Sequence, residues 1–306
     1  MVVDAHAHVI VPGLGAETAW VDRVQVVRYA GREIRSALRE FVDVGRILEE
    51  QEAAGVDRVV LCPWVALLGR ELERQNEALA ALAGERVSVL GTVDPERPGD
   101  LVELMRDGRL AGVEIAASVD GDYLGHERFR DFWAAAEQSG ALVFVHPTTR
   151  GFTHPVMDDY YLWNAVGNPL ETTIAAAHLV MAGVLERHPG LKILLAHGGG
   201  TVLALRGRLR HAHEHVRPAS AALSESPIES FRRFYYDTVT HDPGVLREVV
   251  AFAGADHVLC GSDYPFDMGT ERPAEIVRAL GLPPEEEAAI LGGNAERLLA
   301  RQEEAA

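Results

Sequence analysis

Two histidines one residue apart, His6 and His8, end a short apolar run at the start of the chain, VVDAHAHVI over residues 2–10. In an extended strand, residues i and i+2 project to the same side, so the two imidazoles aim at one point. Neutral imidazole nitrogens suit zinc, iron, manganese or nickel, and a catalytic zinc site needs further ligands plus an open position. A shared strand face alone explains such a pair equally well, so a metal requires partners at the ends of other strands. The sequence offers them. His146 closes ALVFVH, His197 closes KILLAH, and Asp263 closes HVLCGSD.

The elements that must position these side chains follow from the hydrophobic pattern. Short apolar runs at 2–10, 58–62, 87–93, 112–116, 141–146, 192–197, 234–237 and 257–263 read as strands, and VVLC, LVFV and ILLA have the unbroken apolarity of strands buried on both faces. Helical spacing between them predicts helices over 43–54, 70–82, 101–109, 127–138, 170–187, from the glycine run to about 216, and over 243–253, 273–280 and 284–301. Asp43 is the expected N-cap of the first helix, and Gly55 its stop. Residues 12–40 and 147–169 read as long irregular regions, the first with room for a short helix. Eight strands alternating with helices, with no Pro/Gly/Ser-rich linker, predict a (β/α)8 TIM barrel forming one domain over 1–306. In such a barrel the active site lies at the C-terminal ends of the strands, where His6, His8, His146, His197 and Asp263 fall.

Composition narrows the partners. A formal charge of -17 over 306 residues argues against nucleic acid or an anionic membrane surface. Cys62 and Cys260 are the only cysteines, which excludes a disulfide framework and fits a reducing cytosol. The chain shows neither a basic leader with a long apolar run nor a stretch fit to span a membrane. A soluble cytoplasmic protein is expected.

The motifs DAHAH, VHP, AHGGG and GSDYPF, in this order, resemble the amidohydrolase superfamily, and its aminocarboxymuconate-semialdehyde and aromatic-acid decarboxylases above all. EAAGVDRVVLC and GNAERLL extend the resemblance over nearly the whole chain. It implies that His6, His8, His146 and Asp263 bind the metal and that His197 is the catalytic histidine, with Asp263 beside it. It implies substrate-carboxylate arginines at Arg35 and Arg208, the second reaching a neighbouring subunit and hence a homodimer. GVEIAA ends without lysine, which argues against a carbamylated-lysine site with two metals. His146-Pro147 is followed by Thr148, Thr149 and Arg150 rather than a tryptophan, and the loop through His154, Asp158, Tyr160 and Trp163 also departs from the semialdehyde decarboxylase.

The expected activity is metal-dependent, non-oxidative decarboxylation of a small aromatic or unsaturated carboxylic acid. One divalent ion is expected, zinc first and manganese second, with no organic cofactor. The same site also suits a hydrolase or hydratase acting on a C–C bond, lactone or amide. Four further features have bland explanations. HAHEH at 211–215 reads as a helix surface on which His211 and His215 share a face. The glycines at 198–200 serve either a phosphate or close backbone packing. Asp237 and Asp4 read as carboxylates supporting their neighbours.

Overall fold

The computed structural model describes residues 1–11, 17–21, 24–29, 32–37, 40–64, 71–148 and 154–300, with backbone only at 18, 24, 29 and 32–37. Its strands are β1 (Val3–Val9), β2 (Glu17–Val21), β3 (Val24–Tyr29), β4 (Arg32–Ala37), β5 (Arg58–Pro63), β6 (Val87–Val89), β7 (Gly112–Ala116), β8 (Ser118–Val119), β9 (Asp122–Tyr123), β10 (Leu142–His146), β11 (Lys192–Leu195), β12 (Tyr235–Asp237) and β13 (Val258–Leu259). The helices that concern the site are α1 (Val44–Ala53), α2 (Leu72–Ala80), α3 (Pro98–Asp107), α4 (Arg130–Ser139), α5 (Asn168–Met181), α6 (Val184–Arg187) and α7 (Val202–His215).

Eight of these strands form a closed parallel ring. β1, β5 and β6 pair in order, and β7, β10, β11, β12 and β13 pair in order. Gly91, just past β6, bridges to Val113, with Gly91 N–H donating to Gly112 O (2.9 Å) and Glu114 N–H to Gly91 O (2.8 Å). The other seam joins β1 to the segment after β13: Ala5 N–H donates to Cys260 O, Asp263 N–H to His6 O and His8 N–H to Tyr264 O, all at 2.7–2.8 Å. Closure removes every unpaired edge from the ring. The (β/α)8 expectation holds.

Side chains of alternate parity divide the core. Leu142 and Phe144 pack with Val3, Ala5, Cys62, Leu194 and Leu259 inside the ring. Val143 and Val145 face the helices, among Phe132, Leu179 and Val249. In β1 this alternation changes partway. Between Asp4 and Ala7 the chain takes three steps while β5 takes two, from Val59 to Leu61. Below this bulge Val3 and Ala5 lie in the interior cluster; above it Ala7 and Val9 lie in the cluster that holds Ile47 and Leu79 from α1 and α2. The extra residue thus switches which parity faces inward, and His6 and His8 gain the interior.

The first long region differs from the irregular chain its charge density suggests. β2, β3 and β4 make an antiparallel meander, with Trp20 opposite Gln25 and Val26 opposite Arg35. Val24, Val26 and Val27 are β-branched residues suited to a pleated, half-buried surface. Val26 and Val27 are buried, and buried Gln25 ties the sheet to the start of α1 by donating from Nε2 to Glu40 Oε1 (2.7 Å). Asp43 caps α1 as expected, its carboxylate accepting from Arg46 N–H. The helix expected over 170–187 is broken into α5 and α6 at Gly183, where φ is +70° and a Cβ would lie 2.5 Å from Ala222 O. Among the described residues no helix is long and apolar enough to cross a membrane.

Asp4 fastens the seam. Its Oδ1 accepts from the backbone N–H groups of His6 (3.1 Å) and Ser262 (3.0 Å), and its Oδ2 from Gln51 Nε2 (3.0 Å) and the Ser262 hydroxyl. Replacing it leaves several buried donors unpaired, each costing about 1–3 kcal/mol. Asp4→Ala is expected to lower unfolding stability by about 3 kcal/mol or more, read from urea titrations of variant and parent.

Candidate metal centre

The five residues singled out in the sequence meet at one mouth of the ring. His6 and His8 end β1, His146 ends β10, His197 follows β11 and Asp263 follows β13. His6 and His8 are fully buried, and His146 and Asp263 are 4% exposed. His6 Nε2 lies 3.1 Å from His8 Nε2 and 3.2 Å from Asp263 Oδ1, which is 3.5 Å from His8 Nε2. Ligand atoms bonded to one first-row ion at about 2.0–2.2 Å stand about 3–3.5 Å from one another, so this spacing fits a shared ion. The atoms left without partners point to the same conclusion: His146 Nε2 and Asp263 Oδ1 are buried with no hydrogen bond.

The opposite ring nitrogens are engaged. His6 Nδ1 meets Asp237 Oδ2 at 2.6 Å, His8 Nδ1 meets Pro63 O at 3.2 Å, and His146 Nδ1 meets Pro147 O at 2.9 Å. Carbonyl and carboxylate acceptors keep the hydrogen on Nδ1 and leave the Nε2 lone pairs for a cation. Asp237, the last residue of β12, also accepts from the backbone N–H groups of His197 (2.9 Å), Gly198 (2.7 Å) and Val239 (3.1 Å). It therefore holds a ring and a loop at once. His197 and Asp263 both sit in the left-handed region, with φ of +56° and +57°. Such conformations are costly for residues with side chains and cluster where a site demands them.

The electrostatics are those of a cation site without its cation. Burial disfavours charge on His6, but Asp263 and Asp237 outweigh it and raise the imidazole to about 10. Burial pushes His8 down and His146 well down, which keeps both rings neutral. Asp263 is held well below the ordinary carboxylate value, because the charge on His6 and its contacts with His197, His6 and His8 overcome burial. Deprotonated carboxylate and neutral imidazoles are the forms that bind metal.

His197 is set slightly apart, with its Nε2 3.5 Å from Asp263 Oδ2 and its Nδ1 without a partner. It borders a cavity of about 180 Å³ whose other walls include Asn164, Asn168, Val239, His241 and Met268. Gly198, Gly199 and Gly200 behind it pack closely: a Cβ on Gly200 would lie 2.1 Å from Pro169 O. Their N–H groups already donate to Asp237, Ala196 and His197, so a phosphate would find none free. Packing is the reading that holds.

The two arginines are not gathered with this cluster. Arg208 is exposed on α7 and is not among the residues lining the cavity. The backbone of Arg35 lies in β4, and its side chain falls outside the described residues, as do Thr149 and Arg150. The His211 and His215 rings do share a face of α7, 4.3 Å apart, while His213 Nε2 turns to Leu223 O. Glu114 on β7 is the residue sequence reasoning missed. It is fully buried, neither carboxyl oxygen has a hydrogen bond, and burial pushes its pKa well above the ordinary value. One signal was present: a lone charged residue inside the apolar strand GVEIA.

A closed (β/α)8 ring with three imidazoles and a carboxylate converging at its C-terminal mouth defines a barrel built around a candidate metal centre. An amidohydrolase family model matches residues 3–301, and the chain belongs to that family. It is similar to 2-amino-3-carboxymuconate-6-semialdehyde decarboxylase of Dictyostelium discoideum, 33% identical over 62% of this chain and 53% of the relative. It is also similar to 6-methylsalicylic acid decarboxylase of Penicillium expansum, 40% identical over 47% of this chain and 44% of the relative. The chain thus spans about half the length of the curated relatives it matches. Among solved structures, a 5-carboxyvanillate decarboxylase from Novosphingobium aromaticivorans DSM 12444 superposes with a TM-score of 0.81 at 17% identity, over 98% of this chain and 96% of the other. That structure contains manganese and 4-hydroxy-3-methoxy-5-nitrobenzoic acid.

The raised His6 gives the metal-free protein a pH signature. A group whose folded pKa exceeds its unfolded value stabilises fully below the unfolded value, here 6.5, and loses that contribution as pH rises through the folded one, about 10. With chelator present, the urea midpoint is expected to fall between pH 7 and pH 10. Asp237→Asn, which removes one of the two charges holding that proton, is expected to flatten the fall; an unchanged slope in that variant would contradict the assignment.

Proposed function

We propose that this chain is a non-oxidative decarboxylase of a small aromatic carboxylic acid, and that it works with one divalent metal ion. The observation that carries the proposal is the convergence of His6, His8, His146 and Asp263 beside a histidine, His197, that faces a cavity with a free ring nitrogen. The decarboxylase relatives and the manganese-bearing neighbour support it. His6, His8, His146 and Asp263 would hold the ion. When bound, it supplies a positive charge that anchors the substrate's oxygens and stabilises the negative charge left as CO2 departs. Zinc suits three nitrogens and one oxygen; manganese is the rival raised by the neighbour.

The chain's own residues do the rest. The cavity, about 180 Å³, admits a single ring and excludes larger substrates. Val239 and Met268 offer the ring apolar walls; Asn164, Asn168 and His241 offer its substituents hydrogen bonds. His197, fixed through its backbone by Asp237, gives a proton to the ring carbon that bears the carboxylate. That carbon gains a C–H bond, its C–C bond to the carboxylate breaks, and the bonding pair stays on the ring. Arg35 and Arg208 would bind the substrate's acidic groups, with Arg208 serving the partner chain of a homodimer. The barrel forms one domain, and the two free, buried cysteines suit the cytoplasm.

Elemental analysis of the purified protein is expected to find about one zinc or manganese per chain, and the metal-loaded protein to release CO2 from hydroxylated benzoic acids. Turnover that consumes water and releases no CO2 would overturn the decarboxylase reading in favour of a hydrolase. His197→Ala is expected to lower kcat by about 10²–10⁴ while retaining the metal. For the arginine, Arg208→Ala and His197→Ala chains, each inactive alone, are expected to regain activity when mixed and refolded together. No recovery would remove Arg208 from the partner's site.

A further inference from the structure

Glu114 stands in the middle of β7 with its carboxyl inside the ring, beneath the histidine cluster. Its Oε2 lies 3.7 Å from His8 Nδ1 and its Oε1 lies 4.0 Å from His146 Nδ1, both too long for hydrogen bonds. Neither oxygen has another partner in the structure. A buried carboxyl left in this state opposes folding, and a leucine or methionine of similar volume would pack there at lower cost. Its strand neighbours Val113 and Ile115 show that the strand accepts such residues. Two of the donor imidazoles, from strands on either side of the ring, place their Nδ1 atoms on this one side chain. The main-chain acceptors Pro63 O and Pro147 O meet the same nitrogens from elsewhere.

We infer that Glu114 is a positioning residue for the metal centre: its carboxyl oxygens face the Nδ1 hydrogens of His8 and His146 and hold both rings with Nε2 turned toward the cation. The inference rests on the metal-centre reading and deepens it. A group that orients two ligands at once acts on cation affinity, and removal of such a supporting partner lowers affinity about 10–100-fold. What matters in this role is an oxygen acceptor at that spot, not a charge. Glutamine, which keeps a carbonyl oxygen in the same shape, therefore preserves it.

The test measures zinc and manganese dissociation constants by chelator competition for the parent protein, Glu114→Gln and Glu114→Leu, alongside thermal unfolding of each without metal. Nitrogen-15 NMR of the imidazoles reports the tautomers of His8 and His146. Glu114→Leu is expected to bind metal about 10–100-fold more weakly, with a mixed tautomer signal, while its metal-free form melts no lower than the parent's. Glu114→Gln is expected within about threefold of the parent, since it keeps the acceptor. Parental affinity in Glu114→Leu would overturn the inference and leave the metal centre standing. Equal losses in both variants would overturn it too, since they would assign the role to the charge. A parent protein that takes up neither metal would overturn the metal-centre reading, and this inference with it.

Discussion

A single carboxylate, Asp237, links the parts of this site that belong to different strands. One of its oxygens meets His6 Nδ1 and the backbone N–H of His197; the other accepts from Gly198 and Val239. The ring of His6, the turn that presents His197 and the chain leaving β12 are thereby set relative to one anchor. The anchor is buried, with its charge stabilised by the His6 contact despite the cost of burial. In a medium that screens weakly, such a contact fixes direction as well as distance. The left-handed backbone of His197 persists because the bonds around it over-determine it.

A second constraint acts through the barrel seam. Asp4 and His6 are two residues apart, yet Asp4 reaches Gln51 on α1 while His6 faces the ring interior. The bulge between them lets one short strand supply a structural carboxylate to the outside and two imidazoles to the inside. The same hydrogen bonds that close the ring bring Asp263 beside His6, since Asp263 N–H donates to His6 O. Closing the barrel and assembling the donor cluster are one event. Any change that opens the seam separates the ligands.

Strand alternation and terminal polar residues are local properties, and these were legible in the sequence. The barrel strands, the helix cap at Asp43 and the five polar residues at strand ends could all be read from apolar runs and what stops them. Each depends on neighbours within a few residues. The meander at 17–37 was not legible, because its buried face is only three residues wide and charged positions surround it. Nor was the break at Gly183, which is set by the approach of Ala222 from a distant part of the chain.

Residue type and order by themselves determined that two histidines share a strand face, that three further polar groups end apolar strands, and that the chain alternates between strand and helix. Tertiary structure alone decided which groups face one another. The bulge in β1 is a register difference between two strands, so it has no signature in either one. Glu114 looks like an isolated polar residue until two imidazoles from other strands are placed 3.7 and 4.0 Å from it. Asp237 becomes the anchor of His6 across 231 positions of sequence. Local chemistry can name donors, but only closure of the ring sets the distances over which they act, and at these separations fractions of an ångström decide between a hydrogen bond and none.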